Sequence, residues 1–246
     1  MGPALHSLDL SKGRDMRERL IVALDVSTAA EARQIVAAVG DSAFTYKVGM
    51  QLYTAVGPDV VRDLTSSGRR VFLDLKYHDI PNTVAGAVKE ATELGVSMLT
   101  VHGSGGGRML RAAVEAASPH PATMVLAVTV LTSMGEEDLS KLGIRGSVAD
   151  QVMRIAALAL ANGCRGVVAS AHEASALRTE FGDDFAIVTP GVRPAGSGHG
   201  DQVRVVTPSE AMASGASHIV VGRPITEAAD PAAEARAILG QMAGSQ

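Results

Sequence analysis

Short aliphatic runs and longer amphipathic stretches take turns along the whole chain. The runs Leu20–Asp25, Phe44–Val48, Arg70–Leu75, Ser97–Val101, Thr123–Val130, Gly166–Ala169, Ala186–Thr189 and His218–Val221 are rich in Val, Ile and Leu. Such runs read as strands of a sheet covered on both faces. The stretches between them predict helices at Ala29–Val39, Pro58–Ser66, Thr83–Leu94, Arg108–Ala117, Val148–Ala161, His172–Phe181, Pro208–Ser214 and Ala232–Met242. Gly68, Gly95, Gly163 and Gly215 each follow a helical stretch and precede a strand, where a residue of positive φ is wanted. Ser27 and Thr28 can cap the first long helix. Eight strand–helix repeats with no break in composition predict an α/β fold, a single closed (β/α)8 TIM barrel. A doubly wound sheet is the alternative. It wants G-x-G-x-x-G after the first strand, and the chain reads L-D-V-S-T there.

Composition sharpens this picture. The 246 residues match the ~250 of a typical barrel, with residues 1–19 read as a tail or cap and 20–246 as the barrel. Apolar residues make up 46 %, aromatics only 3 %, and Trp is absent, so the core must be aliphatic. A net charge of −4 without runs of like charge speaks against bulk nucleic-acid binding, though not against a local anion pocket. The single cysteine, Cys164, excludes an internal disulfide and a Cys-based zinc site. With no leader pattern and no apolar run approaching membrane length, a cytoplasmic protein without a membrane partner is expected.

The third strand carries charges where a barrel interior should have none. It reads R-R-V-F-L-D-L-K-Y-H-D-I. If Val71, Leu73 and Leu75 face the helices, then Phe72, Asp74 and Lys76 face the barrel axis. Asp74 and Lys76 then sit at the carboxyl end, where TIM-barrel active sites form. Asp25 ends the first strand, Lys47 lies near the end of the second, and Asp79 follows the third, so five charges can converge on one rim. The bland reading is a self-balancing ion network, but buried ion pairs are costly to desolvate and weak as stabilisers. Charges gathered at the functional end of a barrel point instead to chemistry.

Two late loops read as an anion grip. Gly222-Arg223-Pro224 follows the last strand, offering close backbone approach, a planar guanidinium and a helix-starting proline. TIM barrels often bind phosphate at this edge. The loop after the seventh strand opens with Pro190-Gly191-Val192-Arg193-Pro194 and continues through Gly196, Gly198 and Gly200, a candidate lid or a plain surface loop. The stretch His102 to Gly107, H-G-S-G-G-G, lacks the setting of a dinucleotide loop. His78 is expected to point away from the Asp74/Lys76 face, His102 is better placed to orient neighbours, and no His spacing suggests a metal site.

The segment D-L-K-Y-H-D-I-P-N-T, Asp74 to Thr83, resembles the signature of orotidine-monophosphate decarboxylases. A-L-D, Y-K-V-G, L-T-S, P-G-V-R-P and V-V-G-R-P-I match the same family in order, from about Leu20 onward. The resemblance implies a cofactor-free carboxy-lyase of pyrimidine biosynthesis that takes orotidine monophosphate (OMP) to UMP. It implies catalytic roles for Lys76, Asp74, Asp79 and Lys47, with Lys76 as proton donor. It assigns Asp25 and Lys47 to the ribose, Asp74 to the substrate carboxylate, and Thr132 and Ser133 to the pyrimidine edge. Arg193, Gly222 and Arg223 fall at the phosphate, with Gln202 bridging ring and phosphate from the lid. Asp79, Ile80 and Thr83 reach the neighbour's site in a homodimer. Tyr77 departs from the pattern, standing where a smaller or aliphatic residue is common.

Two other readings share part of this pattern. A magnesium-dependent sugar-phosphate decarboxylase or synthase has D-x-K-x-x-D but needs a further carboxylate for its metal, and needs neither L-T-S nor a Gln-bearing lid. A catalytically silent nucleotide-binding barrel would be marked by a lost Lys or Asp, and the core charges are all present.

Overall fold

Each of the eight aliphatic runs forms a strand, and the strands close into one parallel barrel in sequence order. This computed structural model describes residues 15–194 and 206–244. The strands are β1 Leu20–Ala23, β2 Thr45–Gly49, β3 Arg70–Tyr77, β4 Met98–His102, β5 Met124–Val128, β6 Gly166–Val168, β7 Ala186–Thr189 and β8 His218–Val221. Around them lie α1 Met16–Arg19, α2 Ala29–Val39, α3 Met50–Val56, α4 Asp59–Ser66, α5 Pro81–Glu93 and α6 Gly107–Ala117. The outer ring is completed by α7 Glu136–Lys141, α8 Val148–Ala161, α9 Ala171–Phe181, α10 Pro208–Ala213, α11 Arg223–Thr226 and α12 Pro231–Met242. No helix among the described residues is long and apolar enough to cross a membrane.

Strand alternation sorts the apolar side chains into two cores. Leu20, Val22, Val71, Leu73, Leu99 and Val101 pack outward against the helices. Ile21, Ala23, Phe72, Met98, Met124, Leu126, Ala186, Val188 and Val220 fill the barrel interior. Tyr46 and Val48 belong to the outer core, so Thr45, Lys47 and Gly49 of β2 face inward. Tyr77 also packs against the outer core, and burial pushes its hydroxyl up to about 12.

Local signals act where expected. Thr28 caps α2 in a reciprocal capping box with Glu31, and the four strand-preceding glycines all have positive φ. Several boundaries differ from the sequence reading. α5 starts at Pro81 rather than Thr83, because proline suits the first helical turn. β3 runs to Tyr77, past the expected end at Leu75, since Tyr77 pairs with Val101 of β4 beyond the charged residues. β1 ends at Ala23 and β5 spans Met124–Val128, shorter than expected. The helices α3 and α7 were not anticipated, and α11 was expected only as a helix start at Pro224. Residues 16–19, within the expected tail, form α1 against β1, β2, β8 and α12. There the Arg19 guanidinium donates to the carbonyls of Ser217 and Ala216.

Candidate active site

The charges of β2 and β3 and that of Asp25, just past β1, meet at the carboxyl end of the barrel as two lysine–carboxylate pairs. Lys47 Nζ lies 2.8 Å from Asp25 Oδ1, and Lys76 Nζ lies 2.9 Å from Asp74 Oδ2. Lys47 and Asp74 are the most enclosed, at 13 % and 14 % side-chain exposure, whereas Asp25 is 60 % exposed and faces the opening. Gly49 gives the Lys47 ammonium its room, since a Cβ there would lie 2.9 Å from Nζ.

A bulge in β3 builds this arrangement. Leu73 pairs with Leu99 and Tyr77 with Val101, so three residues of β3 oppose Thr100 alone. Two extra residues keep the inside–outside parity of the strand, which leaves Asp74 and Lys76 on the inner face together. Lys76 is the one non-glycine among the described residues with positive φ, at 52°. That backbone costs roughly 1–2 kcal/mol for an L-residue, and such strain gathers at active sites. The Thr100 hydroxyl donates to Asp74 Oδ1 at 3.0 Å and accepts the Lys76 backbone N–H at 2.9 Å.

Two adjoining cavities share Lys47, Asp74, Pro190 and Val220 as walls. The inner one, about 160 Å³, is mainly apolar, lined by Phe72, Val128, Val130, Leu131 and Val168, with Lys76 and Thr132 also on its wall. The outer one, about 510 Å³, carries Asp25, Arg193, Gly222 and Arg223. A Cβ at Gly222 would meet Ala23 Cβ at an ordinary 3.6 Å. Crowding is therefore not what selects glycine there, and its lack of a side chain leaves backbone open to the cavity it lines. The loop carrying Arg193 is tied at its base, where Val192 bridges to Val206 and the Arg193 N–H donates to the Val206 carbonyl at 3.0 Å. Among the described residues, no group of three or more His, Cys, Asp or Glu side chains is arranged to hold a metal ion. A small apolar pocket with an ammonium in its wall, opening onto a wider mouth that carries two arginines, suits a flat ring on a phosphorylated stem.

The model of the orotidine 5′-phosphate decarboxylase / HUMPS family matches residues 18–238. The chain belongs to this family. It is 53 % identical over 225 residues to the orotidine 5′-phosphate decarboxylase of Sodalis glossinidius, covering 91 % of this chain and 89 % of that one. The corresponding protein of Halorhodospira halophila is 51 % identical over 228 residues, covering 92 % and 97 %. The crystal structure of orotidine 5′-phosphate decarboxylase from Lactobacillus acidophilus superposes with a TM-score of 0.82 at 40 % identity, covering 92 % of this chain and 99 % of that one.

The residues that the decarboxylase signature singled out separate in space. Asp25, Lys47, Asp74, Lys76, Thr132, Arg193, Gly222 and Arg223 line the two cavities. Ser133 follows Thr132 but is exposed and lines neither. Asp79 does not join the rim of its own barrel as the five-charge reading expected. The bulge and the turn into α5 carry it outward, into a separate cleft with His78, Ile80, Pro81 and Gly105 to Met109. Its carboxylate accepts the Ile80 N–H at 2.6 Å, Ile80 is 67 % exposed, and Thr83 is also exposed. Gln202 lies outside the described residues. His78 turns toward the Asp79 cleft, with its ring centroid 5.4 Å from that of His102. Burial, with His78 and Lys76 nearby, holds the His102 imidazole below its ordinary value. The glycines after β4 serve packing, because side chains at Gly103 and Gly105 would collide with Ile155 and Met109. Thr100 was missed, since a threonine in a strand gives no linear signal.

Proposed function

We propose that this protein is an orotidine 5′-monophosphate decarboxylase, a cytoplasmic homodimer that converts OMP to UMP and carbon dioxide for pyrimidine biosynthesis. The observation that carries this reading is the Lys76 ammonium, 2.9 Å from Asp74, in the wall of an apolar chamber whose mouth holds Arg193 and Arg223. Family membership at about half identity over nine-tenths of the chain supports the same reaction.

In this reading the orotate ring enters the inner chamber with Thr132 at its edge. Asp25 and Lys47 take the ribose hydroxyls, and Arg193, Gly222 and Arg223 take the phosphate. The substrate carboxylate lies against Asp74, whose like charge makes the bound ground state less comfortable. The bond from C6 to the carboxylate breaks, carbon dioxide leaves, and the electron pair stays on C6. The fixed Lys76 ammonium stabilises that charge and transfers one proton to C6, giving UMP. Phosphate binding far from C6 supplies energy that can be spent on the transition state. The outward position of Asp79, Ile80 and Thr83 favours their use by a second copy, in whose site Asp79 helps hold Lys76 charged and aimed. The test is loss of the orotate ultraviolet absorbance on adding OMP, with and without EDTA. Equal turnover in both arms is expected; none in either would overturn the reading, and turnover abolished by EDTA would favour the magnesium-dependent alternative.

A further inference from the structure

Thr100 is wholly buried on the inner face of β4, at the one point where β3 has too many residues for its neighbour. A regular ladder cannot serve the Lys76 N–H across that mismatch, and the backbone there has turned to positive φ. A threonine hydroxyl has one proton to donate and two lone pairs to accept with. Here the proton goes to Asp74 Oδ1 and one lone pair takes the Lys76 N–H. Asp74 spends its other oxygen on Lys76 Nζ. One oxygen atom on a neighbouring strand thus holds the carboxylate's rotation and the backbone from which the ammonium projects.

We infer that Thr100 is a positioning residue for the decarboxylation, acting through its hydroxyl on the Asp74/Lys76 unit. The inference rests on the reaction proposed above. Without the hydroxyl the ion pair can persist, since Thr100 takes no part in it, but the pair moves as a unit and Lys76 loses its aim at C6. The ribose and phosphate groups, Asp25, Lys47, Arg193 and Arg223, are untouched. The defect therefore falls on kcat and leaves affinity alone.

The experiment compares the parent with Thr100→Ser and Thr100→Ala, which differ from each other by a single oxygen. Thr100→Ser should keep kcat within about threefold, while Thr100→Ala should lose about 10- to 100-fold, as fits a hydrogen bond to a charged group. KM for OMP and Kd for UMP should stay within about threefold in both. If Thr100→Ala does not fold, Thr100→Val restores the volume without the hydroxyl and is read the same way. A role in packing alone predicts equal losses in Ser and Ala, and equal kcat values would overturn the proposal. A loss confined to KM or Kd would overturn it too. A parent that does not turn over OMP brings down the reaction assignment together with this role. An active parent with equal Ser and Ala variants brings down only the role of Thr100.

Discussion

Adding one methyl group at Gly49 should disable part of the site without disturbing the barrel. Gly49 closes β2 with φ −93° and ψ −179°, an extended backbone that alanine accepts freely. Its Cβ would stand 2.9 Å from Lys47 Nζ and 3.6 Å from Asp25 Oδ1. To reach ordinary contact at 3.4 Å, the ammonium must retreat by about 0.5 Å. Nζ is the tip of a flexible side chain, so the strain is relieved there and the melting temperature should barely change. The cost appears in the 2.8 Å contact with Asp25 and in whatever Lys47 grips. A misplacement of about 1 Å can cost ~100-fold in rate, so about 10-fold in kcat/KM is expected for Gly49→Ala, equivalent to ~1.4 kcal/mol. Progress curves at low OMP measure it, alongside Lys47→Ala and the double variant. If the methyl acts through Lys47, the double variant is no worse than Lys47→Ala alone. Full additivity, or a Gly49→Ala enzyme within about twofold of the parent, would refute the reasoning.

Lys76→Ala should nearly abolish carbon dioxide release while UMP binding remains measurable by calorimetry; sustained turnover would remove Lys76 as proton donor. Arg223→Ala should erase much of the advantage of OMP over its phosphate-free nucleoside, and an equal loss on both substrates would make Arg223 structural. Lys76→Ala and Asp79→Ala homodimers should both be nearly dead. Mixed and reassembled at random, half the dimers are hybrids with one intact site, so about a quarter of parental activity should return. Hybrids detected by mass spectrometry without recovered activity would place Asp79 in its own chain's site. Since burial lowers the folded-state value of His102, its contribution to stability is present above about pH 6.5 and lost as pH falls below it. Urea titrations should show a shallower acid loss in His102→Asn than in the parent, and parallel curves would deny His102 that part.

All eight strands were legible because a barrel strand covered on both faces must be aliphatic over its whole length, and each such run stood between amphipathic stretches. The ends were less legible where chemistry interrupts the pattern: Lys76 and the polar residues after it make the end of β3 look like loop, although Tyr77 still pairs with Val101. α3 and α7 were missed, and α11 was legible only as a start at Pro224, for a different reason. They are 7, 6 and 4 residues long, too short for their periodicity to show. Alternation alone put Asp74 and Lys76 on one face, and that holds only because the bulge adds two residues and not one. Neither the bulge nor Thr100 could be read from the chain, since both depend on how β3 registers against a strand that follows it. The departure of Asp79 from the other four charges has the same origin.

The ring of strands also governs how the chain can be made. β1 pairs with β2 on one side and with β8 on the other, Ile21 opposite Val220. During synthesis the far edge of β1 therefore waits for almost the entire chain to emerge. Until then the growing half-barrel shows two unpaired edges and an uncovered aliphatic interior, the hallmarks of a species prone to pair with another chain. Pairing so distant in sequence is slow to find. The hydrogen bonds from Arg19 to the Ser217 and Ala216 carbonyls sit beside this last seam, so the latch that secures the closed ring can engage only when folding is nearly over.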